Sequence, residues 1–118
     1  TSYSWKTLLN KGLSVSNGSD CPVELPDVMA GIRCAVTRCS LDGTGPYLPD
    51  QAFTVQEALD SFTVSGARVS FEETVKGAVQ PGMLADFVVL GGDPFETPAE
   101  ELHRVAVEEV WLGGRRLI

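Results

Sequence analysis

Cysteine and histidine are scarce in this sequence, with three cysteines and one histidine among 118 residues. Three cysteines cannot all pair within one chain, and no Cys-x-x-Cys occurs, so we expect reduced thiols rather than a disulfide framework. A zinc site of Cys21, Cys34, Cys39 and His103 would match no zinc-finger spacing, and we do not favour it. Reduced thiols indicate a reducing compartment, and we expect a cytoplasmic protein.

Basic residues and long apolar runs are scarce as well. Nine Lys and Arg stand against 16 Asp and Glu, a net charge of −7, and no basic cluster occurs, so we expect no nucleic-acid partner. The longest strongly apolar run, residues 87–90, is far shorter than the ~20 residues that a membrane span needs, so we expect no membrane partner. The length allows one core but not a complete eight-unit β/α barrel, which takes about 250 residues.

Helical patterns dominate the first part of the chain. Thr54 and Glu57 have the spacing of a capping box, and Phe53 can contact Ala58 across the start of the same helix. Asp27 is placed to cap another helix. Apolar side chains recur at helical spacing in four segments. Helices are predicted over residues 4–11, 28–38, 55–62 and 65–71.

A short apolar segment and a polar turn separate the first two helices. Residues 13–16 predict a buried strand, and residues 17–20 form the turn after it, which is where α/β enzymes often place their chemistry. Asp20, flanked by small residues, suits a metal ligand or a general base. The same residue type in a turn also suits an Asx-turn or a helix cap, and both interpretations stay open.

Other residues of chemical interest lack the neighbours that would make them a site. Cys21 lacks a neighbouring base that would make it a nucleophile, and Glu24 is expected to be a solvated loop acid. His103 lies in an acidic, helix-like stretch and is expected at the surface. The loop 40–52, rich in Gly, Pro and Asp, has a length typical of functional loops or lids.

Strand patterns replace helical ones from about residue 75. Residues 75–79 and 85–90 predict two strands joined by a turn at Pro81-Gly82. The second of these strands is apolar on both faces at residues 87–90, which predicts burial on both faces.

The last part of the chain predicts a hairpin. Valines change their alternation phase between residues 105–107 and 110–112, which predicts a bulge near Glu108 and Glu109. Gly113-Gly114 then predicts a two-residue turn that returns residues 115–118 against the preceding strand.

Several of these segments share motifs with one enzyme family. The run Gly-x-x-x-Pro-Gly-x-x-Ala-Asp-Phe-Val-Val-Leu occupies residues 77–90, and Gly-Ser-Asp-x-Pro-Val-Glu occupies residues 18–24. The chain resembles the C-terminal part of a metal-dependent amidohydrolase of family 3, in the branch of N-substituted formamide deformylases and exoenzyme-regulatory proteins. The similarity runs through residues 5–9, 17–24, 31–32, 35–38, 54–59, 76–90 and 107–115.

The resemblance implies an α/β to α+β fold. Residues 1–72 would form the last β/α unit of an amidohydrolase TIM barrel, and residues 73–118 would form strands of the flanking small β-sandwich. Since the other strands of both units lie outside this chain, open sheet edges are expected, and with them a homo-oligomer, for which domain swapping is one route.

The resemblance also implies a role for Asp20. It corresponds to the carboxylate that ends the eighth barrel strand, contacts a divalent metal (zinc in our interpretation), and passes a proton from water to the leaving nitrogen. The family's histidine ligands have no counterpart here, so we expect this chain alone to be inactive. The implied function is hydrolysis of C–N bonds other than peptide bonds in a small amide-type substrate. The alternatives are a non-catalytic interaction or regulatory module and a chain completed by a partner.

Overall fold

The fold is known from a computed structural model that describes residues 2–118; Thr1 lies outside the described residues. Helices occupy its first part and an antiparallel sheet its last part. One short 3₁₀ helix, Pro49–Gln51, lies among the α-helices, and a second, Ala99–Arg104, lies between the first two strands. The α-helices are α1 (Trp5–Asn10), α2 (Val28–Thr37), α3 (Val55–Phe62) and α4 (Val64–Val69). The strands are β1 (Phe87–Leu90), β2 (Val107–Leu112) and β3 (Arg115–Arg116).

The predicted helix starts are confirmed by their capping contacts. The Asp27 side chain accepts a hydrogen bond from the Ala30 N–H at 3.0 Å at the start of α2. At α3, the Thr54 hydroxyl accepts from the Glu57 N–H at 3.2 Å, and Glu57 accepts from the Thr54 N–H at 2.8 Å. These contacts satisfy N–H groups that have no partner within the helix, so local sequence decides where α2 and α3 begin.

The α2–α3 contact requires a glycine. A Cβ added to Gly31 of α2 would lie 2.8 Å from the Phe62 ring, closer than real side chains approach. The ring therefore packs directly on the backbone of α2. This close approach brings Ile32, which is 1% exposed, against the fully buried Ala58 of α3.

One hydrophobic cluster joins the helices to the last third of the chain. Leu102, on the second 3₁₀ helix, is fully buried in it together with residues from α2 and α3. Arg33 of α2 strengthens this contact, since its Nη2 lies 3.5 Å from the Glu100 carboxylate and its Nη1 donates to the Ser40 carbonyl at 2.7 Å. The buried members of the cluster are Val15, Met29, Ile32, Phe53, Ala58 and Leu102.

The sheet is antiparallel in the order β1-β2-β3. Val89 pairs with Glu109 and Leu90 pairs with Val107, so Glu108 is the extra residue of a bulge, as its sequence predicts. The Gly113-Gly114 hairpin is also confirmed, because both residues have positive φ and Leu112 pairs with Arg115.

Three strand predictions need correction. Neither residues 13–16 nor residues 75–79 form a strand, since the described chain offers them no sheet partner. Between the two predicted strands of the second region, the Leu84 N–H donates a hydrogen bond to the Val75 carbonyl, but no ladder of such bonds follows. β1 is not buried on both faces, because Val88 is 52% exposed and Val89 37% exposed. Apolar content therefore predicted the strand correctly, but burial requires packing elements that residues 2–118 do not supply.

Candidate functional site

The turn that carries Asp20 is attached to helix α3. Asn17 donates its backbone N–H to the Ser61 carbonyl at 3.0 Å and its side-chain amide to the Ser61 hydroxyl, also at 3.0 Å. Ser61 is 1% exposed and donates to the Ala58 carbonyl at 2.6 Å. The segment that precedes Asp20 is thereby fixed to the core although it forms no strand.

Asp20 itself has an ordered backbone and a free side chain. Its φ is +52°, a conformation that few residues other than glycine adopt, and its carbonyl accepts from the Val23 N–H at 2.9 Å. Ser19, not Asp20, supplies the side-chain oxygen that bonds within the turn, to the Cys21 N–H at 3.3 Å. Within residues 2–118 the Asp20 carboxylate is exposed and has no hydrogen-bond or ionic partner, so it neither caps a helix nor closes an Asx-turn.

A divalent metal would need more ligands than the described residues bring together. A catalytic zinc has three or more protein ligands, and no group of three His, Cys, Asp or Glu side chains in residues 2–118 could hold a metal ion. Asp20 alone therefore does not fit a metal site, and any further ligands would have to come from outside this chain.

The other sequence candidates do not join Asp20. Cys21 and Glu24 are exposed in the same loop, and no hydrogen bond or ion pair in the described part of the chain connects either to Asp20. His103 is half-buried rather than at the surface as predicted, with its Nδ1 enclosed and without a hydrogen-bond partner in residues 2–118. The 3₁₀ helix that carries His103 packs on α2, which explains this burial.

A pocket of about 230 Å³ opens beside the Asp20 turn. Gly18 of the turn lines it, together with Trp5, Phe62 and Arg38. Four separate segments of the chain meet there, so the pocket exists only in the folded protein. Its lining includes three aromatic residues and one basic residue.

Arg38 is held at the pocket by a reciprocal pair of contacts. Its Nε donates to the Tyr47 carbonyl at 2.9 Å, and the Tyr47 N–H donates to the Arg38 carbonyl at 2.8 Å. Arg38 ends α2 with a φ of +59°. Its two terminal nitrogens have no partner in residues 2–118.

The loop 40–52 is anchored next to this pocket. The Tyr3 ring makes edge-on contacts with Trp5 and Tyr47, with ring centroids 6.0 and 6.1 Å apart, and Gln51 hydrogen-bonds to Thr7 of α1 at 3.0 Å. The prediction of a functional loop or lid stays a prediction, and these contacts join the loop to residues beside the pocket.

A tight turn orders the first residues of that loop. The Asp42 carboxylate accepts from the Ser40 hydroxyl and from the Thr44 N–H at 2.8 Å. These hydrogen bonds, that of Ser40 first, lower the pKa of Asp42 to about 2. The loop is therefore held in shape by its own short-range contacts before it reaches the pocket.

Arg38, Trp5 and Tyr47 were not candidates from sequence alone. Arg38 follows an apolar helix directly, and Trp5 is an aromatic residue at a helix start, but neither pattern predicts a binding site. Their significance comes from the meeting of distant segments.

Comparisons with known proteins cover the whole chain. A sequence profile of the amidohydrolase family matches residues 1–118. The chain is 36% identical over 117 residues to Bacillus subtilis YtcJ, which is named as an amidohydrolase, and 30% identical over 109 residues to the N-substituted formamide deformylase of Arthrobacter pascens. These matches cover 98% and 92% of this chain but 22% and 20% of the two relatives.

Two further similarities point the same way. The Arabidopsis thaliana protein LONG AFTER FAR-RED 3 is 31% identical over 98% of this chain, which spans 20% of that protein. The crystal structure of an amidohydrolase from Thermotoga maritima superimposes with a TM-score of 0.72 at 23% identity, over 98% of this chain and 26% of that one. The chain thus spans about a fifth to a quarter of the proteins it matches.

Proposed function

Because the chain belongs to family 3 of the amidohydrolases, we propose that it is the C-terminal part of a metal-dependent hydrolase of C–N bonds other than peptide bonds. The observation that carries the proposal is the Asp20 turn, in which a fixed backbone presents an exposed, unpaired carboxylate. In this proposal the substrate is a small amide.

The proposed role of Asp20 is to move one proton. Its carboxylate accepts a proton from the water that attacks the amide carbon, and it returns that proton to the nitrogen as the C–N bond breaks. The acyl carbon gains a hydroxyl group and the nitrogen gains a hydrogen, so the products are an acid and an amine. A carboxylate that has no competing partner in residues 2–118 is suited to this task.

We propose that the full-length enzyme binds a divalent metal. Family members generally use a divalent metal, for which we favour zinc, and Asp20 would be one of its contacts. Since residues 2–118 bring no three ligands together, we propose that this chain alone is inactive.

The surface of the chain supports its being part of a larger structure. Its accessible area of 7796 Å² exceeds the roughly 6,200 Å² expected for a folded monomer of this mass. We propose that residues 1–72 complete a barrel and residues 73–118 a β-sandwich, and that the isolated chain covers its open surfaces by forming a homo-oligomer, for which domain swapping is one route. A light-scattering mass of 12.6 kDa would contradict the oligomer.

The location of the protein is proposed on separate grounds. None of the helices in the described residues is long and apolar enough to cross a membrane. Cys21, Cys34 and Cys39 are all free thiols, which supports a cytoplasmic location.

The decisive experiment is Asp20→Asn in a full-length protein that carries these residues. We expect kcat for amide hydrolysis to fall about 10²–10⁴-fold with little change in thermal stability, because the exposed side chain has no partner to lose. Glu24→Gln, an exposed loop acid close by in sequence, is the matched control and should keep full activity. Turnover by Asp20→Asn at the wild-type rate would refute the assignment.

The second candidate is a non-catalytic interaction module derived from an amidohydrolase. The exposed valines Val88 and Val89 of β1 favour it, since unpacked apolar strands often mark interfaces. Both the wild-type full-length protein and its Asp20→Asn variant would then lack hydrolytic activity, whereas Val88→Thr would weaken association with the partner.

A further inference from the structure

The nine basic residues of the chain differ in how their charges are compensated. Five form ion pairs: Lys6, Arg33, Lys76, Arg104 and Arg116. The four without a carboxylate partner in residues 2–118 are Lys11, Arg38, Arg68 and Arg115. Three of these four are exposed to solvent, and Arg38 alone is half-buried. It is also the one that lines the pocket beside the Asp20 turn.

The unpaired guanidinium of this half-buried residue has unused binding capacity. It carries five N–H donors, of which only the Nε–H is used within residues 2–118, in the bond to the Tyr47 carbonyl. That bond restrains the group, and the Tyr47 N–H bond to the Arg38 carbonyl holds the two backbone segments together. The two terminal nitrogens are therefore free for a planar anion, and a carboxylate matches them with two parallel hydrogen bonds.

The rest of the pocket indicates what the anion is attached to. Three of its nine lining residues, Trp5, Phe53 and Phe62, are aromatic, and aromatic rings favour other rings in stacked or edge-on contact. The volume of about 230 Å³ lies below the 300–1,000 Å³ of pockets for drug-sized ligands, so the pocket suits one small ring.

The pocket is also close to the proposed reaction centre. Gly18, which lines it, precedes Asp20 by two residues, so the chain between them spans at most about 7 Å. The Asp20 turn is therefore within reach of a substrate whose bound group occupies the pocket.

We propose that this pocket binds an aromatic carboxylate, and that the substrate is an amide bearing such a group. The inference rests on the proposed function for its reaction, but the binding itself can be measured without turnover. Arg38 pairs with the carboxylate, and Trp5 contacts the ring.

The test is a comparison of three ligands by isothermal titration calorimetry on the full-length protein. Benzoate has both the ring and the charge, benzamide has the ring without the charge, and cyclohexanecarboxylate has the charge without an aromatic ring. We expect benzoate to bind most tightly. Equal affinities for benzoate and benzamide, or no measurable binding of benzoate, would overturn the proposal.

Variants identify the residues responsible. Arg38→Met should weaken benzoate binding about 10- to 100-fold and leave benzamide nearly unchanged, because it removes a charge-assisted pair. Arg68→Met, which removes an exposed and unpaired arginine outside the pocket, should change neither. Trp5→Leu should weaken benzoate about 2- to 10-fold and leave cyclohexanecarboxylate less affected.

A purely structural role for Arg38 predicts a different pattern. Loss of its bond to Tyr47 would weaken all three ligands together, and Arg38→Lys would then behave like Arg38→Met. Under our proposal Arg38→Lys keeps the charge and recovers part of the benzoate affinity. Equal loss for all three ligands would refute the pairing.

The Asp20→Asn variant separates this inference from the proposed function. Both hold if that variant is inactive and still binds benzoate like the wild type. Benzoate binding together with undiminished Asp20→Asn activity would remove the catalytic assignment and leave the pocket. If Asp20→Asn is inactive and the wild-type protein does not bind benzoate, the catalytic assignment stands and the pocket proposal is refuted.

Discussion

The helical region, residues 2–72, and the sheet region, residues 73–118, achieve different degrees of burial. Ile32 and Ala58 in the helical region are 1% and 0% exposed, whereas Val88 in the sheet region is 52% exposed. Helices satisfy their backbone hydrogen bonds internally and need only one covered face. A strand needs partners along its edges and on its faces, and β1 has a neighbour on one edge only among the described residues.

The two regions are not independent despite this difference. Leu102, from the sheet region, is fully buried in the cluster that holds the helices, and Arg33 connects α2 to the 3₁₀ helix beside it. The sheet region thus depends on the helical core for its best-buried residue. Substitutions can test this dependence.

Ile32→Ala should have the largest effect. It removes a side chain that is 1% exposed, and we expect the free energy of unfolding to fall by about 4 kcal/mol, through lost burial and the cavity left behind. Val88→Ala on the exposed sheet face is the control and should cost less than about 0.5 kcal/mol. Urea unfolding of the chain measures both losses of stability. Equal losses would contradict the difference in burial between the two regions.

Arg33→Met should follow at about 2–3 kcal/mol. The guanidinium is 6% exposed and serves the carbonyls of Ser40, Cys39 and Glu100, which would lose their donor. Arg104→Met removes an arginine whose ion pair with Glu101 is exposed, and should cost less than about 1 kcal/mol. The urea midpoints of both variants measure these losses of stability. A negligible loss for Arg33→Met would mean that Arg33 does not join the two regions.

Gly31→Ala should cost about 1–2 kcal/mol because its Cβ would lie 2.8 Å from the Phe62 ring and force α2 and α3 apart. Gly18→Ala is the control, since a Cβ there meets no atom within 4 Å. The melting temperature of each variant checks the prediction, which fails if both variants melt alike.

Glu57→Gln should have the smallest effect, about 0.5 kcal/mol near neutral pH. Burial raises the pKa of Glu57. Hydrogen bonds from Lys6 and Thr54 and the charge of Lys6 lower it by a larger amount, so the net pKa lies below its usual value. The associated stability is present above the unfolded pKa of about 4.3 and is lost as the pH falls through the folded value.

The measurement is a series of urea midpoints from pH 6 down to about pH 3. The wild type should lose more stability over this range than Glu57→Gln, and the control Glu73→Gln, an exposed acid, should follow the wild type. Identical slopes for the wild type and Glu57→Gln would contradict the ionic contribution of Glu57.

Local contacts explain which predictions from the sequence are confirmed. The caps at Asp27 and Thr54 and the Gly113-Gly114 turn depend on residues close together in the chain, and the bulge at Glu108 is marked by a change of alternation phase within one segment. Residues 13–16 and 75–79 have strand-like sequences but form no strand, because a strand is completed by segments far away in the chain or outside it.

The candidate site divides in the same way. Asp20 could be selected from its turn and its motif, while its role stays a prediction. Arg38 and Trp5 could not be selected, since the pocket forms where α1, the Asp20 turn, α2 and α3 meet. No pattern along the sequence predicts which distant segments come into contact in the folded chain.

The sequence by itself determined the family, the helix starts, the bulge and the hairpin, because each is marked by a motif, by the alternation of residues within one segment or by hydrogen bonds between near neighbours. Only the tertiary structure decided that Val88 and Val89 stay exposed, that His103 is half-buried and that Arg38 lines a pocket with three aromatic residues while having no ionic partner in residues 2–118. Burial and charge compensation are sums over all surrounding segments, and those segments come together only when the chain folds.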